Sequence, residues 1–105
     1  MEIETIARYQ LPVITCIMNN NGIYRGLRFE DQHLPVLSLS ADCRYDKLCE
    51  ALGGKGYLAR SKDEIIKALA EAEKVKDGPC LVNILIATDA ERKPQADPWL
   101  TRSKQ

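Results

Sequence analysis

Two hydrophobic periods alternate along this chain. "LPVITCIM", Leu11 to Met18, and "PCLVNILIA", Pro79 to Ala87, are near-continuous apolar runs with many β-branched residues. Such runs predict strands buried on both faces, as in a parallel sheet. Pro12 fits only near the start of the first, because proline cannot donate to a ladder. "GYLA", Gly56 to Ala59, predicts a shorter strand. Elsewhere the spacing is helical. Ile3, Ile6 and Ala7 predict a helix reaching Tyr9, entered without a capping residue, so Met1 reads as an internal methionine or a new start. Tyr45, Leu48, Cys49 and Leu52 predict a helix over 44–52, with Asp42 as its cap and Gly53 as its stop. Ser61 and Glu64 form an S-x-x-E capping box before a third helix, whose apolar face is Ile65, Ile66, Leu69 and Ala72. Lys74, Lys76 and a C′ glycine at Gly78 close it.

Strands alternating with helices predict an α/β fold: a partial parallel sheet flanked by helices. Asn19 to Ser40 lacks a period and reads as loop, with a short extended piece at Val36 to Leu39. After Thr88 the chain turns polar. Residues 1–88 form the predicted domain and 89–105 a tail, whose Trp99 is expected to pack on a surface.

Composition narrows the function. A chain of 105 residues holds at most one domain. Net charge is zero, which argues against an electrostatic nucleic-acid binder. No apolar run approaches a membrane span and no secretory signal pattern opens the chain. Cys16, Cys43, Cys49 and Cys80 form no C-x-x-C pair and have no nearby histidine, so they read as reduced, mostly buried thiols. His33 reads as a surface residue. "GGKG", Gly53 to Gly56, follows a helix and lacks phosphate-loop spacing, so it reads as a helix stop and turn.

One stretch does not fit a purely structural reading. "MNNNGIYRG", Met18 to Gly26, follows a predicted strand with three successive amides. Ligands of open parallel sheets bind beyond the carboxyl ends of the strands. Amide and main-chain carbonyl oxygens are hard ligands that suit Mg²⁺ together with a carboxylate, waters and phosphate oxygens. Asn-Gly is also a common turn dipeptide. The residues by themselves leave a metal loop and a plain turn equally open.

The longer pattern "MEIETIARYQLPVITCIMNNNGIYRG" resembles the second half of the thiamine-diphosphate motif, which runs from Gly-Asp-Gly or Gly-Asp-Ser to Asn-Asn. Within that superfamily the chain is similar to the 2-hydroxyacyl-CoA lyases and to their relatives the oxalyl-CoA decarboxylases. "ALGGKGY" and "WLTRS" tilt the likeness to the lyases. The resemblance covers nearly the whole chain, least at Leu27 to Ser40. It implies the C-terminal part of a thiamine-diphosphate-binding domain. It further implies that Asn20 binds Mg²⁺ through its side-chain oxygen and Gly22 through its carbonyl. Asn19 and the Ile23–Tyr24 backbone would then line the diphosphate pocket. Arg92, Lys93 and Arg102 would belong to a segment that closes over the CoA substrate. No catalytic residue is implied within the chain, because the metal aspartate and the cofactor-activating glutamate would lie upstream. The implied reaction is cleavage of a 2-hydroxyacyl-CoA to formyl-CoA and a shortened aldehyde, in fatty acid α-oxidation. The implied partners are an acyl-CoA and the other subunits of a homotetramer, with no nucleic acid and no membrane. The 105 residues alone are expected to be inactive. Peroxisomal siting is implied too, although the ending Ser-Lys-Gln departs from Ser-Lys-Leu at its last residue; otherwise the cytoplasm is expected. The competing readings are an oxalyl-CoA decarboxylase, a non-catalytic assembly module with an inherited fold, and a generic nucleotide-binding domain.

Overall fold

The computed structural model describes residues 2–23, 36 and 38–88. The elements follow the order α1 (Glu2–Arg8), β1 (Ile14–Asn19), α2 (Tyr45–Ala51), β2 (Lys55–Ala59), α3 (Lys62–Glu73) and β3 (Cys80–Leu85). The strands form one parallel sheet in the order β1-β3-β2, as the alternation of periods predicts. The step from β1 to β2 passes over the place of β3, and the step from β2 to β3 returns. Two parallel crossovers of the same hand that run in opposite directions put their helices on opposite faces. That arrangement is seen here. On one face α3 packs Ala68 against Ala59, Val82 and Ile84, with Tyr57, Ile65 and Leu69 around them. On the other face α2 lies over Gly56 and Asn83.

β3 is the centre of the core. Every residue from Cys80 to Ile84 is buried, as expected for a strand covered on both faces. β1 differs from the expectation. Its exposure alternates, and Ile14, Cys16 and Met18 face outward, Met18 being 61 % exposed. The reason is position: β1 stands at the sheet edge, and α3 covers β2 and β3 but not β1. Cys16 is therefore an exposed thiol, while Cys49 and Cys80 are buried; all four cysteines are free. Burial pushes the Cys49 and Cys80 thiols above their ordinary range.

The helices carry four further corrections. The buried residues of α2 are Asp46 and Cys49, while Leu48 is exposed. Gly56 explains this, since a Cβ there would overlap the Asp46 carbonyl. The missing side chain lets the first turn of α2 rest on the sheet through its main chain. Asp42 does not cap α2; Arg44 holds the cap position with no side-chain bond. In α3 the buried residues are Ala68 and Ala72, and Ile66 is exposed. Gly78 lies well beyond the α3 cap at Lys74 and has no positive φ, so it is not a C′ glycine.

Two local signals hold. Ser61 Oγ accepts from Glu64 N at 3.3 Å, and the Glu64 carboxylate reaches back to Arg60 N at 2.6 Å, one residue earlier than in the standard box. Gly53 takes φ +100° after α2, and "GGKG" is a helix stop and turn. Among the described residues no helix is long and apolar enough to cross a membrane.

Candidate cofactor and metal site

Because the sheet is parallel and in register, Asn19, Ala59 and Leu85 end their strands on the same edge. The loop from Asn19 to Ile23 leaves that edge. Its three asparagines do three different things.

Asn19 turns inward and is 5 % exposed. Its Nδ2 donates to Asn83 Oδ1 and to the Cys43 carbonyl, both at 3.3 Å, and its Oδ1 accepts from Asn21 N at 3.1 Å. A buried amide is tolerable only when its donors and acceptor are so occupied. Asn20 Oδ1 accepts from Gly22 N at 3.1 Å, an Asx turn that draws the Asn20 side-chain oxygen and the Gly22 backbone into one tight bend. Asn21 adopts φ +63°, a conformation asparagine accepts more readily than most residues. Its amide then pairs with Asp42, accepting from Asp42 N at 2.8 Å and donating to Asp42 Oδ1 at 3.1 Å. Leu39 N donates to the Asn21 carbonyl at 2.9 Å, and Gly22 pairs with Ser38 in an isolated antiparallel bridge.

Beneath the loop lies a buried polar cluster that the periodic pattern does not predict. Asn83 is fully buried in β3. Its Nδ2 donates to the Cys43 carbonyl at 2.8 Å and, at a long 3.5 Å, to Asp46 Oδ1. Asp46 accepts both arms of the Arg44 guanidinium, at 3.0 and 2.7 Å. That guanidinium holds the Asp46 carboxyl below the usual range; burial opposes the shift and Asn83 adds to it. Arg44 is itself raised by the same contact. The one sequence signal for this cluster is an amide in the middle of "PCLVNILIA", where an unpaired polar group would be costly.

The structure therefore brings Asn19, Asn20, Gly22 and Ile23 together at the carboxyl edge. Asn19 anchors the loop, and Ile23 is 59 % exposed. Tyr24, Arg92, Lys93, Arg102, His33, Trp99 and the tail lie outside the described residues. The donor set fits part of a Mg²⁺–diphosphate site. Asn20 Oδ1 and the Gly22 carbonyl are neutral hard oxygens held in one turn, the chemistry Mg²⁺ accepts beside carboxylate, water and phosphate ligands. Ser38, bridged to Gly22, keeps a buried Oγ that has no hydrogen-bond partner among the described residues. Among the described residues no group of three or more His, Cys, Asp or Glu side chains is arranged to hold a metal by itself. The loop can support a metal but does not encircle one.

Comparison with known proteins identifies the family. Residues 1–84 match the family described as "Thiamine pyrophosphate enzyme, C-terminal TPP binding domain". The chain is 40 % identical to 2-hydroxyacyl-CoA lyase 1 of Mus musculus over 98 % of its own length and 20 % of the relative's, and equally so to that of Homo sapiens. It is 42 % identical to oxalyl-CoA decarboxylase of Escherichia coli (strain K12), over 82 % of this chain and 16 % of that protein. The chain thus spans about one fifth of the length of the curated lyases it matches. A parallel sheet, an amide-rich loop at its carboxyl edge and a family match over 1–84 make one conclusion: this chain belongs to the thiamine pyrophosphate enzymes, within their C-terminal TPP-binding domain.

Proposed function

We propose that the chain is a C-terminal portion of a Mg²⁺-dependent 2-hydroxyacyl-CoA lyase, and that its Asn19–Gly22 loop is one half of the metal–diphosphate clamp. The observation that carries the reading is the 40 % identity to two 2-hydroxyacyl-CoA lyases over 98 % of the chain, wider coverage than the 82 % shared with the decarboxylase. The Asn20–Gly22 turn at the carboxyl edge supports the metal role.

When bound, thiamine diphosphate supplies the electron sink that lets a carbon–carbon bond beside a hydroxyl carbon break. This chain's residues bind and orient. Asn20 Oδ1 and the Gly22 carbonyl would hold the metal, and Asn19 fixes the loop to the sheet. The Ile23–Tyr24 backbone would line the diphosphate pocket, and Arg92, Lys93 and Arg102 would belong to the segment that closes over the CoA substrate. The reaction cleaves a 2-hydroxyacyl-CoA to formyl-CoA and a shortened aldehyde, in a homo-oligomer placed in the peroxisome. Imaging of an intact fluorescent fusion checks the placement, and a purely cytosolic signal would refute it.

The substrate test is product analysis. The intact protein with thiamine diphosphate and Mg²⁺ should release formyl-CoA and an aldehyde from a 2-hydroxyacyl-CoA. Turnover of oxalyl-CoA alone, with loss of carbon dioxide, would make it a decarboxylase. No turnover of either, with no cofactor bound, would favour the assembly module. The 105 residues alone, with no acidic ligand group assembled among those described, should not retain the cofactor; micromolar binding by calorimetry would overturn that.

A further inference from the structure

We propose that Asn83 is a positioning residue for the cofactor loop, acting from the core without contact to the cofactor. The inference rests on the functional reading above and extends it to a residue 64 positions from Asn19 in sequence.

The geometry is that of a support layer. Asn83 sits fully buried on the central strand, beneath the strand end from which the loop departs. Its two amide atoms divide the work. Oδ1 accepts from Asn19, the first residue of the loop, while Nδ2 donates to the carbonyl of Cys43, on the segment that enters α2. Asn19 Nδ2 donates to the same Cys43 carbonyl, so the three groups close a triangle. Asp46, neutralised by Arg44, closes the far side of Asn83. The strand end, the loop and the α2 entry thereby share one set of bonds. From Asn19 the constraint passes through the Asn21 N contact to the bend that presents Asn20 Oδ1 and the Gly22 carbonyl. An apolar side chain would match this face of the sheet, since Leu81, Ile17 and Leu58, which lie beside Asn83 on it, are apolar. The amide is therefore explained by what it holds, in the way that outer-layer hydrogen bonds orient metal ligands.

The test uses Asn83→Leu in the intact protein. Leucine has the same branched skeleton as asparagine, and the neighbours keep other partners: the Cys43 carbonyl keeps Asn19, and Asp46 keeps Arg44. Thiamine diphosphate is titrated calorimetrically at fixed Mg²⁺, and the thermal midpoint is recorded without cofactor. Apparent affinity should fall about ten- to hundredfold. The saturated turnover number should stay within about threefold, because the ligand atoms themselves are intact. Asn83→Ser, which is smaller and keeps a hydroxyl donor, should lie between the two; it carries the test where the leucine variant does not fold. Cofactor affinity within twofold of the unmodified protein in a folded variant would overturn the proposal and leave the functional reading standing, even with a lowered midpoint. An unmodified protein that binds no thiamine diphosphate would overturn both. Unmodified protein that binds the cofactor but does not cleave a 2-hydroxyacyl-CoA would refute only the substrate reading.

Discussion

Asn21 and Asp42 hold each other twice: Asp42 N donates to Asn21 Oδ1 at 2.8 Å, and Asn21 Nδ2 donates to Asp42 Oδ1 at 3.1 Å. Both residues have positive φ, +63° and +48°. The pair closes the loop between the end of β1 and the approach to α2. Asp42→Ala loses the side-chain bond and places alanine in a left-handed conformation, which costs about 1–2 kcal/mol. Asp42→Asn keeps an acceptor at the same position and tolerates the same φ, so it should be within about 0.5 kcal/mol of the original. Urea denaturation of the intact protein ranks the two. Equal stability of the alanine and asparagine variants would show that the Asp42 side-chain bond contributes nothing.

Two glycines should respond in opposite ways. A Cβ at Gly56 would overlap the Asp46 backbone, which cannot swing aside like a side-chain tip. Gly56→Ala should destabilise by about 3 kcal/mol or more. At Gly78 an added Cβ meets nothing within 4 Å and φ is not positive. Gly78→Ala should be neutral or stabilise by up to about 1 kcal/mol, through the unfolded chain. Chemical denaturation midpoints measure both, and similar losses at the two sites would contradict this packing of α2 on β2.

Acid should act through Asp46. Its carboxyl is held below the ordinary value of 3.8, chiefly by Arg44. The unfolded chain then binds this proton more readily than the folded one, so the contribution is complete above the unfolded value. It is lost as pH falls through the lower, folded value. Asp46→Asn removes this contribution. Between about pH 5 and pH 2 its stability should fall less steeply than that of the unmodified protein. Parallel slopes in denaturation at several pH values would count against it.

The open face of β1 should govern association of the 105-residue chain by itself. Ile14, Cys16 and Met18 form an outward apolar row on an edge strand, and an edge with unpaired backbone groups can template pairing with another chain. Met18→Lys should reduce light scattering at equal concentration, because a lysine on an exposed edge discourages pairing. Unchanged scattering would place the sticky surface elsewhere.

Much of this architecture was legible in the residues. The two apolar runs, the helical spacing, the stop at Gly53 and the cap at Ser61 are local signals, and local signals give element types and order. What was not legible depends on neighbours distant in sequence. Nothing in "LPVITCIM" says that it stands at an edge with one face open. The buried side of α2 follows from Gly56, which lets Asp46 rather than Leu48 meet the sheet. Asp42 has the composition of a cap, but Asn21 takes it. In the loop, "NNNG" announced a polar bend, yet the division of labour among the three amides needed the fold. Asn19 anchors, Asn20 closes the turn and Asn21 pairs with Asp42. Asn83 was visible only as a lone amide in an apolar run, and its purpose appeared once β3 was found beside β1.

In the function proposed above, the Asn20–Gly22 turn holds Mg²⁺ for the diphosphate of the cofactor. The most direct measurement of this role is calorimetric titration of thiamine diphosphate into the intact protein and its Asn20→Ala variant, each with Mg²⁺ and with a chelator. Binding by the unmodified protein should require Mg²⁺, and Asn20→Ala should weaken it at least about tenfold at fixed Mg²⁺. Binding that is equally tight in the chelator, or unchanged in the variant, would contradict it.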